Sequence, residues 1–262
     1  MTSDWPVERL VGVIDLMHGR AVAAVAGNRE CYGPVRIDLP EFIPGSAKSL
    51  VEYYQQLGLS QIYIADLDAL MGRDRQWEAI ASILRCCQSL DQIWIDAGLQ
   101  PGESTQLWNR WGTMVSSIPP TRRLNLVAAS ESLQQVGALE QLVGAFDQSH
   151  QSPVGCVELC LGLDYHAGQF RGDETPELWI QTADRLGIRQ GLILDTAHVG
   201  TQTGPPQFEG LRRPMASAPR WTWTSGGGIR TPADVHSLMD AGFQHCLIAT
   251  ALQRMGWDSN PR

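Results

Sequence analysis

Short apolar runs alternate with amphipathic segments from one end of the sequence to the other, and this alternation narrows the possible folds more than any other feature. Strands are expected at Leu10–Asp15, Gln61–Asp66, Gln92–Asp96, Leu124–Ala128, Cys156–Asp164, Leu192–Asp195, Trp221–Thr224 and Cys246–Ala249. Helical patterns lie between them. "SAKSLVEYYQQLG" opens on a serine and closes at Gly58, and "DRQWEAIASILRCCQ" sets Trp77, Ile80, Ile83 and Leu84 on one face. "PELWIQTADRLG" and "TPADVHSLMDAG" each run from a proline to a glycine. In the second, Thr231 is the expected N-cap, Pro232 the first helical residue and Asp234 the capping-box partner. Alternating strands and helices imply a parallel sheet. Eight such strands in 262 residues suggest an α/β fold, a closed TIM (β/α)8 barrel forming one domain over the whole chain. An open doubly wound sheet is the alternative.

The pattern also repeats. "VIDLMHGRAV" resembles "LGLDYHAGQF", pairing Asp15 with Asp164 and Gly19 with Gly168. "IYIADLDALMG" resembles "LILDTAHVG", pairing Asp66 with Asp195. "IWIDAGLQP" resembles "WTSGGGIRT", pairing Gly98 with Gly228, and "NLVAASES" resembles "CLIATALQ". The matches keep one order and lie about half a chain apart, as two half-barrels of about 1–145 and 146–262 would give.

The glycine triplet of "WTWTSGGGIRTPADV" falls just past a strand, where barrel function sits. Glycines let the backbone approach a ligand, and a following helix directs amide donors and its positive dipole end at the same spot. Gly226, Gly227 and Gly228 thus make an expected phosphate cradle, completed by Ala249 and Thr250 after the next strand.

The net charge of −8 without a basic run argues against nucleic acid and anionic membrane surfaces as partners. No apolar segment is long enough to span a bilayer, and "MTSDWPVERL" has no leader pattern, so a cytoplasmic protein is expected. Six cysteines without zinc or disulfide spacing are expected as buried free thiols. No metal or cofactor is expected.

The ordered set "VIDLMHGRAV", "IYIADLDA", "LGLDYHAGQ", "LDTAHVGTQTGP", "SGGGIRTPADV" and "LIATAL", spanning Val11 to Leu252, resembles the HisA/HisF family of histidine-biosynthesis barrels. Within it the chain resembles HisA, an isomerase that opens an aminated ribose phosphate and rearranges it to a ketose. The resemblance implies a phosphorylated small-molecule substrate and a catalytic pair at Asp15 and Asp164. It also implies the cradle at Gly226–Gly228 with Ala249 and Thr250, and the loop residues Gly200, Thr201, Gly204 and Pro205. Asp195 and His198 stand in the same substrate-facing region. The family's second phosphate cradle falls on Gly98 and Ser130, and here the chain departs from the pattern. Asp96 replaces a glycine and Glu131 adds a further negative charge, while Ala23 stands where HisA-like members carry arginine and Ala197 where the family carries aspartate. One phosphate site is thus kept and the other degraded.

Ring opening needs an acid at the ring oxygen, and the enolamine that follows needs a base at C2; two carboxylates across a barrel mouth supply both if one holds a proton near neutral pH. Asp15 is assigned as base and Asp164 as acid, with the roles exchangeable by the repeat. Asp66 and Asp68 are read as hydrogen-bonding the loops at the mouth; His18, His166 and His198 stand near it. "AGNRECYGPV" resembles a divergent subgroup found beside tetrahydromethanopterin and other one-carbon cofactor genes, so an enzyme of that synthesis is the alternative. A non-catalytic phosphate-ligand-binding barrel is a third reading. The oligomeric state, monomer or homodimer, is left open.

Overall fold

The computed structural model describes residues 4–86, 89–103, 105–115, 122–149, 157–206 and 212–258. Eight parallel strands form the barrel: β1 (Leu10–Met17), β2 (Gln61–Asp66), β3 (Gln92–Asp96), β4 (Arg123–Ala129), β5 (Val157–His166), β6 (Gln190–Asp195), β7 (Thr222–Gly226) and β8 (His245–Ile248). Each pairs with the next, and β1 pairs with β8 through Leu10↔Cys246, Val11↔Leu247 and Gly12↔Ile248, which closes the ring. The open-sheet alternative is thereby excluded.

The strands read as continuous apolar runs because both faces are covered. Ile62 and Ile64 point outward into the layer beneath the helices, while Tyr63 and Ala65 point inward with Val11, Trp94, Val127, Cys160, Leu192 and Leu247. Among the described residues, eight helices of six residues or more surround the barrel: α1 (Ala47–Gln56), α2 (Trp77–Cys86), α3 (Thr105–Val115), α4 (Val136–Ser149), α5 (Pro176–Arg185), α6 (Arg212–Ser217), α7 (Pro232–Asp240) and α8 (Thr250–Asp258). Ser46 caps α1 by accepting the Ser49 amide at 3.1 Å. Thr231 and Asp234 form the expected capping box of α7. Helix α2 buries Ile80, Ile83 and Leu84, and its Trp77 meets Trp111 of α3 edge-on at 4.8 Å.

The half-barrel repeat is visible as two matching hairpins. Strand β1 runs past its expected end at Asp15 and turns at His18–Gly19 into the short strand Arg20–Ala23. Strand β5 likewise passes Asp164 and turns at Ala167–Gly168 into Gln169–Phe170. Both central residues of each turn have positive φ, the two-residue turn whose twist suits a hairpin. Strand β7 also runs further than expected and takes in Gly226, so only two glycines of the triplet lie in the loop.

The cysteines correct one expectation. Cys160 and Cys246 are buried free thiols, but Cys31 is exposed on the loop after β1 and Cys86 is half-buried. Cys87 and Cys156 lie outside the described residues. No helix among the described residues is long and apolar enough to cross a membrane.

Candidate active site

A cavity of about 360 Å³ opens at the C-terminal ends of the strands, where the βα loops converge. Its floor is set by strand alternation. Val13 and Asp15 of β1, Tyr63 and Ala65 of β2, Asp96 of β3 and Asp164 of β5 all face inward onto it. Three odd-numbered strands therefore each deliver one aspartate to the same space.

These carboxylates differ in their surroundings. Burial pushes Asp15 up to about 7, opposed by the Arg29 guanidinium. Among the described residues no hydrogen-bond donor reaches the Asp15 carboxylate. Burial also raises Asp164 to about 6, opposed by the Glu131 amide; the Glu131 charge raises it and the Ser130 hydroxyl lowers it. The amide donates to Oδ2 at 3.1 Å and the hydroxyl lies 3.3 Å from the same oxygen. Asp96 is pushed to about 7 by burial and then by the Asp164 charge, against the Tyr63 hydroxyl that donates to it at 3.0 Å.

The C-terminal cradle borders this cavity through Gly227, Gly228, Ala249 and Thr250. Gly228 has φ of 71°, and a Cβ there would lie 2.2 Å from the Gly204 carbonyl oxygen, so the "GTQTGP" loop packs directly on it. Gly204 donates its amide to the Gly228 carbonyl at 2.9 Å. Gly226 does not line the cavity; a side chain there would strike the Leu247 carbonyl. One expectation changes here. The α7 terminus is closed on itself, because Asp234 accepts the Arg230 and Thr231 amides at 2.9 and 3.2 Å. The helix that offers its first turn to the cavity is α8, which starts at Thr250.

Several sequence-expected residues lie beside the cavity rather than on it. Asp195 is fully buried and accepts the Ala167 and Gly168 amides at 2.9 and 2.8 Å, fixing the β5 hairpin. In the first half-barrel Asp68 accepts the His18 amide at 2.9 Å, and Gln76, held by Asp66, accepts that of Gly19 at 2.6 Å. His198 packs behind Gly227 with Nδ1 3.7 Å from Asp195. Thr201 donates to the His198 carbonyl at 2.9 Å. His166 does line the cavity, whereas His18 pairs with Asp68 outside it. Ser130 is buried against Asp164, and Gly98 is turned toward Arg75; neither lines the cavity.

Arg29, Tyr32 and Arg171 reach the cavity without having been singled out from sequence. Arg29 and Tyr32 come from the long loop after β1. That loop is tied to the β6 loop by the Ala26 amide, which donates to the Val199 carbonyl at 2.7 Å. The missing arginine at Ala23 was the available signal: a lost cation at the mouth invites a search for another nearby.

A family model described as "Histidine biosynthesis protein" matches residues 9–255. An uncharacterized protein of Methanocaldococcus jannaschii is 24% identical over 246 residues, 94% of this chain and 93% of that one. A protein of Shewanella sp. (strain MR-7) named 1-(5-phosphoribosyl)-5-((5-phosphoribosylamino)methylideneamino) imidazole-4-carboxamide isomerase is 24% identical over 257 residues, 93% of each chain. Its namesake in Shewanella halifaxensis is 23% identical over 256 residues, again 93% of each. With the family match running through every barrel strand, the chain belongs to the HisA/HisF family of histidine-biosynthesis barrels.

Proposed function

We propose that this chain is an isomerase that converts an N-glycoside of a phosphorylated ribose into the corresponding aminoketose by an Amadori-type rearrangement. The observation that carries the reading is the sharing of one cavity by Asp15, Asp164 and the Gly227–Gly228 cradle. The phosphate is held by cradle amides and the first turn of α8, which anchors the sugar over the carboxylates.

The environments favour Asp15 as acid and Asp164 as base, the reverse of the first assignment. Asp164 accepts an amide and a hydroxyl, which stabilise its carboxylate; Asp15 meets no donor among the described residues, and burial raises it to about 7. Asp15 gives its proton to the ring oxygen as the C1–O bond breaks, leaving a C1=N iminium. Asp164 takes the C2 proton, and the electron pair forms the C1=C2 enolamine. Asp164 returns its proton to C1 while Asp15 takes the proton of the C2 hydroxyl. The product is a ketone at C2 and both carboxyls are reset. Arg29 stands beside Asp15 to balance the charge that appears there once its proton is given up.

The test is an assay of the purified protein on N-glycosides of ribose 5-phosphate, following aminoketose formation by NMR. Turnover supports the proposal. Absence of turnover on every such glycoside, from a protein shown to be folded, refutes it. Complementation of a histidine auxotroph lacking its isomerase then reports whether the natural substrate is the one named for the Shewanella relatives.

A further inference from the structure

We infer that the substrate is a phosphomonoester whose far end carries no phosphate, because the first half-barrel's cradle has been converted into a closed, self-satisfied turn. This rests on the proposed reading of the Gly227–Gly228 side as the phosphate anchor.

The sequence repeat sets Asp96–Ala97–Gly98 against Gly226–Gly227–Gly228. In the C-terminal half the first position has no side chain. In the N-terminal half it projects a carboxylate into the cavity, held by the Tyr63 hydroxyl at 3.0 Å and approached by the Gly98 amide at 3.4 Å. That amide is the donor an anion would need, and it is directed at Asp96.

The rest of the turn is filled by Arg75. Its Nε donates to the Ala97 carbonyl at 2.6 Å and its Nη2 to the Gly98 carbonyl at 2.9 Å. Its remaining donors meet Glu103, with Nη1 3.1 Å from Oε2 and Nη2 on Oε1. Glu103 also accepts the Gln100 amide at 2.9 Å. The pair is largely withdrawn from water, with side-chain exposures of 12% and 5%. The Arg75 guanidinium lies 5.9 Å from the centre of the Trp77 ring, whose other close cation is Arg110 at 4.5 Å.

An arginine near a turn could suggest an anion site, but this one has its donors committed. Seating a phosphate would require breaking a buried ion pair, which leaves a charge uncompensated. The arriving dianion would also face Asp96, Asp164 and Glu131 in a confined, poorly screened space. Among the described residues, the opposite cradle presents no carboxylate to the cavity. The two ends therefore select a ligand with phosphate at one end and a neutral or amine-bearing group at the other.

The test titrates the purified chain with ribose 5-phosphate and with ribose 1,5-bisphosphate by calorimetry, and soaks crystals in inorganic phosphate. The expected results are one phosphate per chain, at Gly227–Gly228 and Thr250, and a monophosphate that binds about tenfold more tightly than the bisphosphate. Thr250→Asp, which suits a helix N-terminus but repels an anion, should weaken ribose 5-phosphate by about tenfold or more. Phosphate at the Gly98 turn, or a monophosphate preference below about threefold, overturns the inference. Absence of any phosphate binding overturns it together with the cradle. A chain that binds one phosphate as expected yet isomerises nothing keeps this inference and loses the proposed reaction.

Discussion

The Ser130 hydroxyl bridges two parts of Asp164: it accepts the Asp164 amide at 2.9 Å and lies 3.3 Å from the carboxylate Oδ2. Accepting the amide with a lone pair leaves the hydroxyl proton free to stabilise the carboxylate. Ser130→Ala should therefore raise the Asp164 pKa above about 6. A hydrogen bond to a charged group contributes about 1.5–3 kcal/mol, so the acid limb of the kcat/KM profile should move up by about one pH unit. Ribose 5-phosphate affinity should stay unchanged, since Ser130 does not line the cavity. An unmoved limb with weakened phosphate binding would make Ser130 a ligand contact instead.

Replacing Asp15 or Asp164 by its amide keeps the shape and, under the proposed reaction, removes the proton transfer. Asp15→Asn and Asp164→Asn should each lower kcat by about 10²–10⁴-fold with little change in KM. The pH profiles separate the roles. With the base near 6 and the acid near 7, wild-type activity should peak between them. Residual activity of Asp15→Asn should lose the alkaline limb, and that of Asp164→Asn the acid limb. Circular dichroism and Tm measured on the same samples exclude unfolding as the cause. Losses of only a few-fold in both would make these carboxylates structural.

The same three carboxyls make the fold pH-sensitive. Asp15, Asp96 and Asp164 are raised from 3.8 to about 7, 7 and 6, so the folded chain holds more protons than the unfolded one across that window. Their contribution is present in full below about 4 and is lost as pH rises through 6 to 7. Each group can tilt stability by up to about 1.4 kcal/mol per pH unit within the window. Tm should thus fall between pH 5 and about 8. Asp96→Asn, the most enclosed replacement, should flatten the fall and raise Tm at the alkaline end. A Tm that rises over the same interval would contradict the burial-driven shifts.

The barrel was legible because its signals are local and redundant. Each strand is a short apolar run, and capping at Thr231 and Ser46 marks helix starts within a few residues. Asp15 and Asp164 were legible because a polar residue ending an apolar run faces the barrel mouth. Strand ends were read too short at Asp15 and Asp164, since the hairpins beyond them depend on side chains far along the chain, such as Asp195 under Gly168. The closure of the second cradle was only half legible. Asp96 announces the lost glycine, but Arg75 meets Gly98 across 23 residues and through a carbonyl, which no sequence pattern encodes. Arg29 was hidden for a similar reason: its place at the cavity, where its charge acts on Asp15, is decided by where its loop is tied down.

That tie gives the last prediction. The loop after β1 passes so close to the β6 loop that a Cβ on Gly200 would lie 1.8 Å from the Ala24 carbonyl oxygen, and Gly200 has φ of 71°. Neither strain has a cheap escape, because the obstacle is backbone. Gly200→Ala should therefore lift the loop and carry Arg29 and Tyr32 away from the cavity. The barrel strands do not depend on this contact, so Tm should change far less than activity. Arg29→Met isolates the charge from the loop. Without the guanidinium, the Asp15 carboxyl should rise further above about 7. If Asp15 is the acid, the alkaline limb of kcat/KM then moves to higher pH. If it is the base, the acid limb moves instead. Either direction identifies the role of Asp15, while a profile unmoved at both limbs would show that Arg29 does not act on it. Gly200→Ala should reproduce the Arg29→Met shift and add a rise in KM, because Tyr32 leaves with the same loop.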